Sequence, residues 1–176
     1  MSTPSPPEVV YLDTSVVVAA IIPGSDHVGP CAAFCNDLVA AGSRIFFSQI
    51  LRLELSQALL KLATRRAGLP SDTSAAYRLD DWGADPSVRD RWLRIGVRAF
   101  DDLFERFPRV LELPFDVGTW QTSLDVMVAH GLRSHDAIHV ATARQLGVPT
   151  IATADDHFKR VAGEFELLLI QDGGSP

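Results

Sequence analysis

Val9-Val10-Tyr11-Leu12-Asp13-Thr14-Ser15 is the stretch on which the fold turns. Its first four residues are continuous, apolar and rich in β-branched and aromatic side chains, the pattern of a short strand buried on both faces. Such strands belong to parallel sheets covered by helices, and Asp13 then stands at the strand's carboxyl end, the edge beyond which these sheets bind ligands.

Working outward, the chain alternates between strand and helix patterns. Residues 16–22 form a short apolar run stopped by Pro23-Gly24, and Ser25 or Asp26 is placed to cap a second helix that ends after Ala41 at Gly42. Arg44-Ile45-Phe46-Phe47 reads as a strand. From Gln49 to Arg66, Leu51, Leu55, Ala58, Leu59 and Leu62 recur at three or four, which predicts a long amphipathic helix carrying Glu54. A polar stretch and a further helical pattern make 67–107 an expected helical projection. Beyond it come a strand at 110–113, helices at 116–130 and 135–146, and strands at 149–152 and 166–170. The expected architecture is α/β, a three-layer α/β/α domain with a central parallel sheet over residues 9–170. Residues 1–8, rich in Pro and Ser, and residues 171–176 are expected to be disordered tails.

Composition narrows the function classes. The 176 residues are 47% hydrophobic and 22% charged, as for an ordinary globular chain, with no apolar run of the roughly 18 residues a membrane span needs. No signal-peptide pattern opens the sequence, and a cytoplasmic location is expected. Sixteen basic against 22 acidic residues give a net charge of −6, so bulk electrostatics do not favour nucleic acid and any RNA must be held locally. Cys31 and Cys35 lack the second pair a zinc site requires and read as small packing residues.

Four carboxylates carry the chemistry. Asp13 follows the first strand; Glu54 lies in Ser48-Gln49-Ile50-Leu51-Arg52-Leu53-Glu54-Leu55; Asp136 lies in His135-Asp136-Ala137-Ile138-His139-Val140-Ala141-Thr142-Ala143; Asp155 lies in Thr153-Ala154-Asp155-Asp156-His157-Phe158. In this order and spacing the chain resembles the PIN-domain ribonucleases, and most of all the VapC-type toxins of bacterial toxin–antitoxin pairs. The resemblance implies a Mg²⁺-dependent endoribonuclease, with Mn²⁺ as a substitute, whose quartet is Asp13, Glu54, Asp136 and Asp155. It also implies an RNA substrate, a small cognate antitoxin and a homodimer. Several acids suit this chemistry because hard Mg²⁺ takes oxygen ligands and polarises both water and phosphate. Asp13 and Asp136 are the expected direct ligands, with Glu54 completing the set and Asp155 supporting a bound water or a second ion. Gathered without metal, the four should repel and raise at least one pKa.

Each acid also has a plainer reading. Asp13 and Asp155 suit helix N-caps and Glu54 a helix surface, whereas Asp136 sits early in a helix among apolar neighbours. Ser15 and Thr153 are supporting hydroxyls, and Asp156 is the alternative should the Thr-x-Asp-x-x-Phe register slip by one. His135 and His139, four apart on one helix, raise a competing zinc site, disfavoured by the missing third ligand; otherwise Ser134 caps that helix and the histidines pack or face solvent. An aspartyl-phosphate enzyme also begins with Asp after a first strand, but Ser15 stands where its second Asp belongs. Arg91, Arg94 and Arg98 form a basic row opposite an expected buried face of Trp92, Ile95 and Ala99, and with Arg133, Lys61, Arg65 and Arg66 they are candidates for RNA phosphates. The apolar helices at 16–22 and 32–39 are the candidate dimer surface. A non-catalytic RNA- or protein-binding module of the same fold, and a housekeeping RNA-processing nuclease without antitoxin, are the alternatives.

Overall fold

The computed structural model describes residues 6–22, 24–66 (side chains to residue 62) and 85–171. Five strands, β1 Val9–Leu12, β2 Arg44–Ser48, β3 Arg109–Leu113, β4 Thr150–Thr153 and β5 Glu166–Leu169, form one sheet in the order β3-β2-β1-β4-β5. Every neighbouring pair is parallel. Order reverses between β1 and β4, so the helices leaving these two strands diverge and open a crevice at their carboxyl ends.

The helices are α1 Thr14–Ile21, α2 Val28–Ala41, α3 Ile50–Arg66, α4 Pro86–Phe104, α5 Val117–His130 and α6 Ser134–Leu146, with a 3₁₀ turn over Asp156–Val161. The two-residue period of the strands divides the core in two. Val10, Leu12, Ile45, Phe47 and Ala152 face a cluster with α1 to α4, while Tyr11, Phe46 and Ile151 face a second cluster with α5 and α6. Covered on both faces, the sheet makes the three-layer α/β/α arrangement.

Several local expectations shift. Residues 6–8 are tied down rather than loose: Ser43 Oγ donates to the Pro7 carbonyl at 2.6 Å and the Arg44 amide to the Glu8 carbonyl at 2.8 Å, extending the sheet edge. Helix α2 starts after His27, a non-glycine residue at φ 61°, with no side-chain cap from Ser25 or Asp26. Likewise α6 begins at Ser134 after an N-cap at Arg133 that makes no side-chain cap, so Ser134 does not cap it.

Of the expected projection, residues 67–84 lie outside the described residues, as do the side chains of Arg65 and Arg66. The remainder is α4, whose second half packs into the core. Phe100 and Phe104 stack at 4.3 Å between centroids, and Phe104 lies 4.6 Å from Phe47 of β2. The buried face runs through Gly96, Phe100, Leu103 and Phe104 rather than through Ile95, which is 49% exposed. Gly96 sets that phase, because a Cβ there would overlap the buried side chain of Leu59 on α3. Gly96→Ala should therefore destabilise the protein by about 1–2 kcal/mol in urea unfolding, the overpacking cost exceeding the ~1 kcal/mol helix-propensity gain; a stabilised variant would refute the close approach.

Cys31 and Cys35 are buried and not disulfide-bonded. Val16, Val17 and Ala19 of α1 and Leu38 of α2 are likewise buried, so the expected dimer surface is largely spent on the core. Among the described residues the exposed apolar row is Val117, Trp120, Leu124 and Val128 on α5. No helix among them is long and apolar enough to cross a membrane.

Candidate metal centre

All four acids meet at the carboxyl edge of the sheet. Asp13 follows β1 and is the N-cap of α1, Asp155 lies two residues beyond β4 and is the N-cap of the 3₁₀ turn, Glu54 sits in the second turn of α3, and Asp136 in the first turn of α6. The plainer capping readings are thus geometrically true of Asp13 and Asp155 as well. Adjacency of β1 and β4 brings the two caps together, with the Asp13 amide donating to the Ala152 carbonyl at 3.0 Å.

Asp13 is 4% exposed and its Oδ2 is saturated: Ser15 gives both its amide (3.2 Å) and its hydroxyl, and Thr153 Oγ1 donates at 2.9 Å. Ser15 and Thr153 are therefore carboxylate-holding hydroxyls, and Thr153 Oγ1 also accepts the Asp155 amide at 3.0 Å. Asp156 points elsewhere; its exposed carboxylate takes Lys159 at 2.8 Å and Gln171 at 3.1 Å. Asp155, not Asp156, lies in the group with Asp136.

Sequence reasoning missed the role of His139. Fully buried, it lies 2.9 Å from Glu54 Oε2 and 3.5 Å from Asp13 Oδ1 through Nε2, and 2.9 Å from the Tyr11 hydroxyl through Nδ1. Thr14 Oγ1 also donates to Glu54 Oε2 and lies 3.0 Å from His139 Nε2. Burial alone would push the imidazole pKa down, but the Glu54 hydrogen bond and the charges of Asp13, Glu54 and Asp136 raise it. Burial alone would push the Glu54 carboxyl up, and the same bond to His139 lowers it instead. His139 thus bridges two of the four acids. Both its ring nitrogens are engaged, and His135 Nδ1 also turns to Glu54, at 3.2 Å. Each histidine of the pair is turned to a carboxylate.

Asp136 is different. Burial pushes its carboxyl up to about 6, with Asp13 and Asp155 adding like-charge repulsion. Its Oδ2 is buried without a hydrogen-bond partner. A buried acceptor left unmade costs about 1–3 kcal/mol, so an orphan oxygen facing other carboxylates marks a place for a cation. Ligand atoms of Asp136, Asp155 and His157 lie within 4.8 Å of one another. Oxygen-rich, half-buried and strained without a counter-charge, this donor set fits a divalent ion.

Two clefts reach the acids. One, of about 370 Å³, is lined by Glu54, Gln57, Ala58, Lys61, Arg133, Ser134 and His135; the other runs past Ser15, Ala19, Asp26, Asp155 and Gln171. Arg91, Arg94 and Arg98 are exposed on α4 and line neither cleft, and Arg94 is paired with Asp90 at 2.7 Å.

The structure is a parallel α/β/α sheet with an acid cluster at its topological switch, where such folds bind ligands. The sequence profile of the PIN domain matches residues 10–164. This chain belongs to the PIN-domain family. No curated protein sequence matches it. Among solved structures it is similar to VapC20 of Mycobacterium tuberculosis, described as a sarcin–ricin-loop-cleaving toxin, at 19% identity and TM-score 0.55, covering 89% of this chain and 97% of that one. Similarity extends to VapBC2 of Rickettsia felis bound to a promoter DNA fragment (16%, TM-score 0.53, 92% and 98%). It extends also to FitAcB of Neisseria gonorrhoeae (18%, TM-score 0.51, 90% and 96%). At these identities the likeness is one of fold.

Proposed function

We propose that the protein is a divalent-metal-dependent endoribonuclease, the toxin half of a toxin–antitoxin pair, with Mg²⁺ or Mn²⁺ held among Asp13, Glu54, Asp136 and Asp155. The observation that carries this reading is the convergence of four acids on the orphan oxygen of Asp136, in a chain of the PIN-domain family. A bound divalent ion would supply Lewis-acid polarisation of the phosphate and acidify the attacking water. The chain's own residues do the rest. Asp136 and Asp155 present open oxygens, Ser15 and Thr153 fix Asp13, and His139 offsets the charge of Asp13 and Glu54 so that the cluster survives before metal arrives. Lys61 and Arg133 flank the cleft beside Glu54, where the phosphate chain of an RNA would enter.

The test is cleavage of a structured RNA panel by purified, antitoxin-free protein with Mg²⁺, Mn²⁺, Zn²⁺ or chelator, beside Asp13→Asn. Cleavage that needs Mg²⁺ or Mn²⁺ and vanishes in the variant supports the proposal; cleavage insensitive to both refutes it. The double variant Lys61→Ala/Arg133→Ala should weaken RNA binding by about tenfold whatever the sequence and flatten its salt dependence. Unchanged binding would move the RNA path to the α4 arginines.

The partners belong to the same proposal: an RNA substrate, an antitoxin offering a basic side chain to the carboxylates, and a second copy of the chain. A cytoplasmic setting follows from that role. A small open reading frame immediately upstream separates the toxin from a housekeeping nuclease, which would have none.

A further inference from the structure

We propose that His157 supplies a nitrogen ligand beside Asp136 and Asp155, so that this centre selects Mn²⁺ over Mg²⁺. The inference rests on the metal-nuclease reading and adds a residue outside the acid quartet.

Three observations converge on it. His157 is the one nitrogen donor in the compact group with Asp136 and Asp155, all ligand atoms lying within 4.8 Å. Its Nδ1 is buried and makes no hydrogen bond, although it lies 2.9 Å from Asp155 Oδ1. The side chain is 40% exposed, and the contact at that distance lacks hydrogen-bond alignment. A bare Nδ1 faces a carboxylate as lone pair to lone pair, and a protonated one aims its hydrogen off the acceptor. Asp136 Oδ2, a second atom of the same group, is also buried without a partner. Two orphaned donors from different elements, sharing Asp155 as neighbour, are both satisfied by one cation between them.

The backbone holds the ring in place. His157 donates its amide to Asp155 Oδ1 at 2.8 Å, and the following Phe158 is fully buried under the sheet, so the first turn of the 3₁₀ segment cannot drift away from the acids. His139, by contrast, has both nitrogens engaged and is unavailable as a ligand. Chemistry then sets the preference. Mg²⁺ demands oxygen ligands and dehydrates reluctantly, so an imidazole in the set disfavours it, and among the transition ions Mn²⁺ is the one that carboxylates suit.

The experiment titrates Mn²⁺ into the purified full chain by electron paramagnetic resonance with Mg²⁺ as competitor, and reads ¹⁴N coupling by spin-echo modulation. Wild type, His157→Gln, His157→Ala and Asp136→Asn are compared. The proposal expects a directly bound ¹⁴N in wild type that is absent from both His157 variants. It also expects Mn²⁺ affinity to fall by roughly tenfold or more while Mg²⁺ affinity stays within about twofold. If Mn²⁺ binds and is lost in Asp136→Asn, but the ¹⁴N signal is missing or survives in His157→Gln, the inference falls and the acid centre stands. If wild type binds no Mn²⁺, or Asp136→Asn binds it unchanged, both fall.

Discussion

Asp136→Asn is expected to lower RNA cleavage by on the order of 10³-fold and, in chelator at neutral pH, to raise the unfolding midpoint. The two effects share one cause. A carboxyl pushed up to about 6 by burial and by Asp13 and Asp155 binds its proton more tightly folded than unfolded. Between the unfolded value near 4 and the folded value near 6 the native state therefore carries more protons, and stability falls as pH rises through that window. Two pH units would correspond to about 3 kcal/mol, which solvent screening at this part-exposed group reduces to about 1–2 kcal/mol. An Asn never ionises, so the variant should show a flatter profile from pH 4 to 7 and gain a few degrees above pH 6. Saturating Mn²⁺ should reverse the ranking, since the ion stabilises only the protein that binds it. A variant that loses activity and stability together in chelator would mean that Asp136 is a fold residue, and the site reading would lose its main support.

His139→Ala should be the most damaging single change to the fold outside the hydrophobic core. It removes the imidazole beside Asp13 and Glu54 and a partner of the buried Tyr11 hydroxyl in one step. Leaving a buried carboxylate without its partner costs about 3–5 kcal/mol, some 10 °C in a domain of this size. His139→Gln, which keeps one donor of similar length, should recover part of that loss. Denaturation of both variants in chelator decides the matter, and a loss under 1 kcal/mol in His139→Ala would mean that water or rearranged side chains already neutralise the acids.

The contrast between the two residues shows what a sequence can carry. Asp136 was legible because its neighbours repeat a local pattern, an acid opening a helix that is otherwise apolar, and because Asp13, Glu54 and Asp155 recur in order. Strand and helix positions were legible for the same reason, since periods of two and 3.6 are local. His139 and His157 were not. Nothing within several residues of His139 reveals that Tyr11, Thr14 and Glu54 will close around it from two other elements. His157 acquires its place only because β4 lies beside β1. The buried face of α4 was misjudged because a glycine leaves no mark in a hydrophobic pattern, yet Gly96 is where α3 comes closest.

The reversal of strand order between β1 and β4 also governs timing. During synthesis Asp13 and Glu54 leave the ribosome early, paired with nothing that could complete a cation site, and the whole of α4, β3, α5 and α6 must follow before β4 can slot in beside β1. The candidate metal centre is therefore completed only when almost the last strand has emerged.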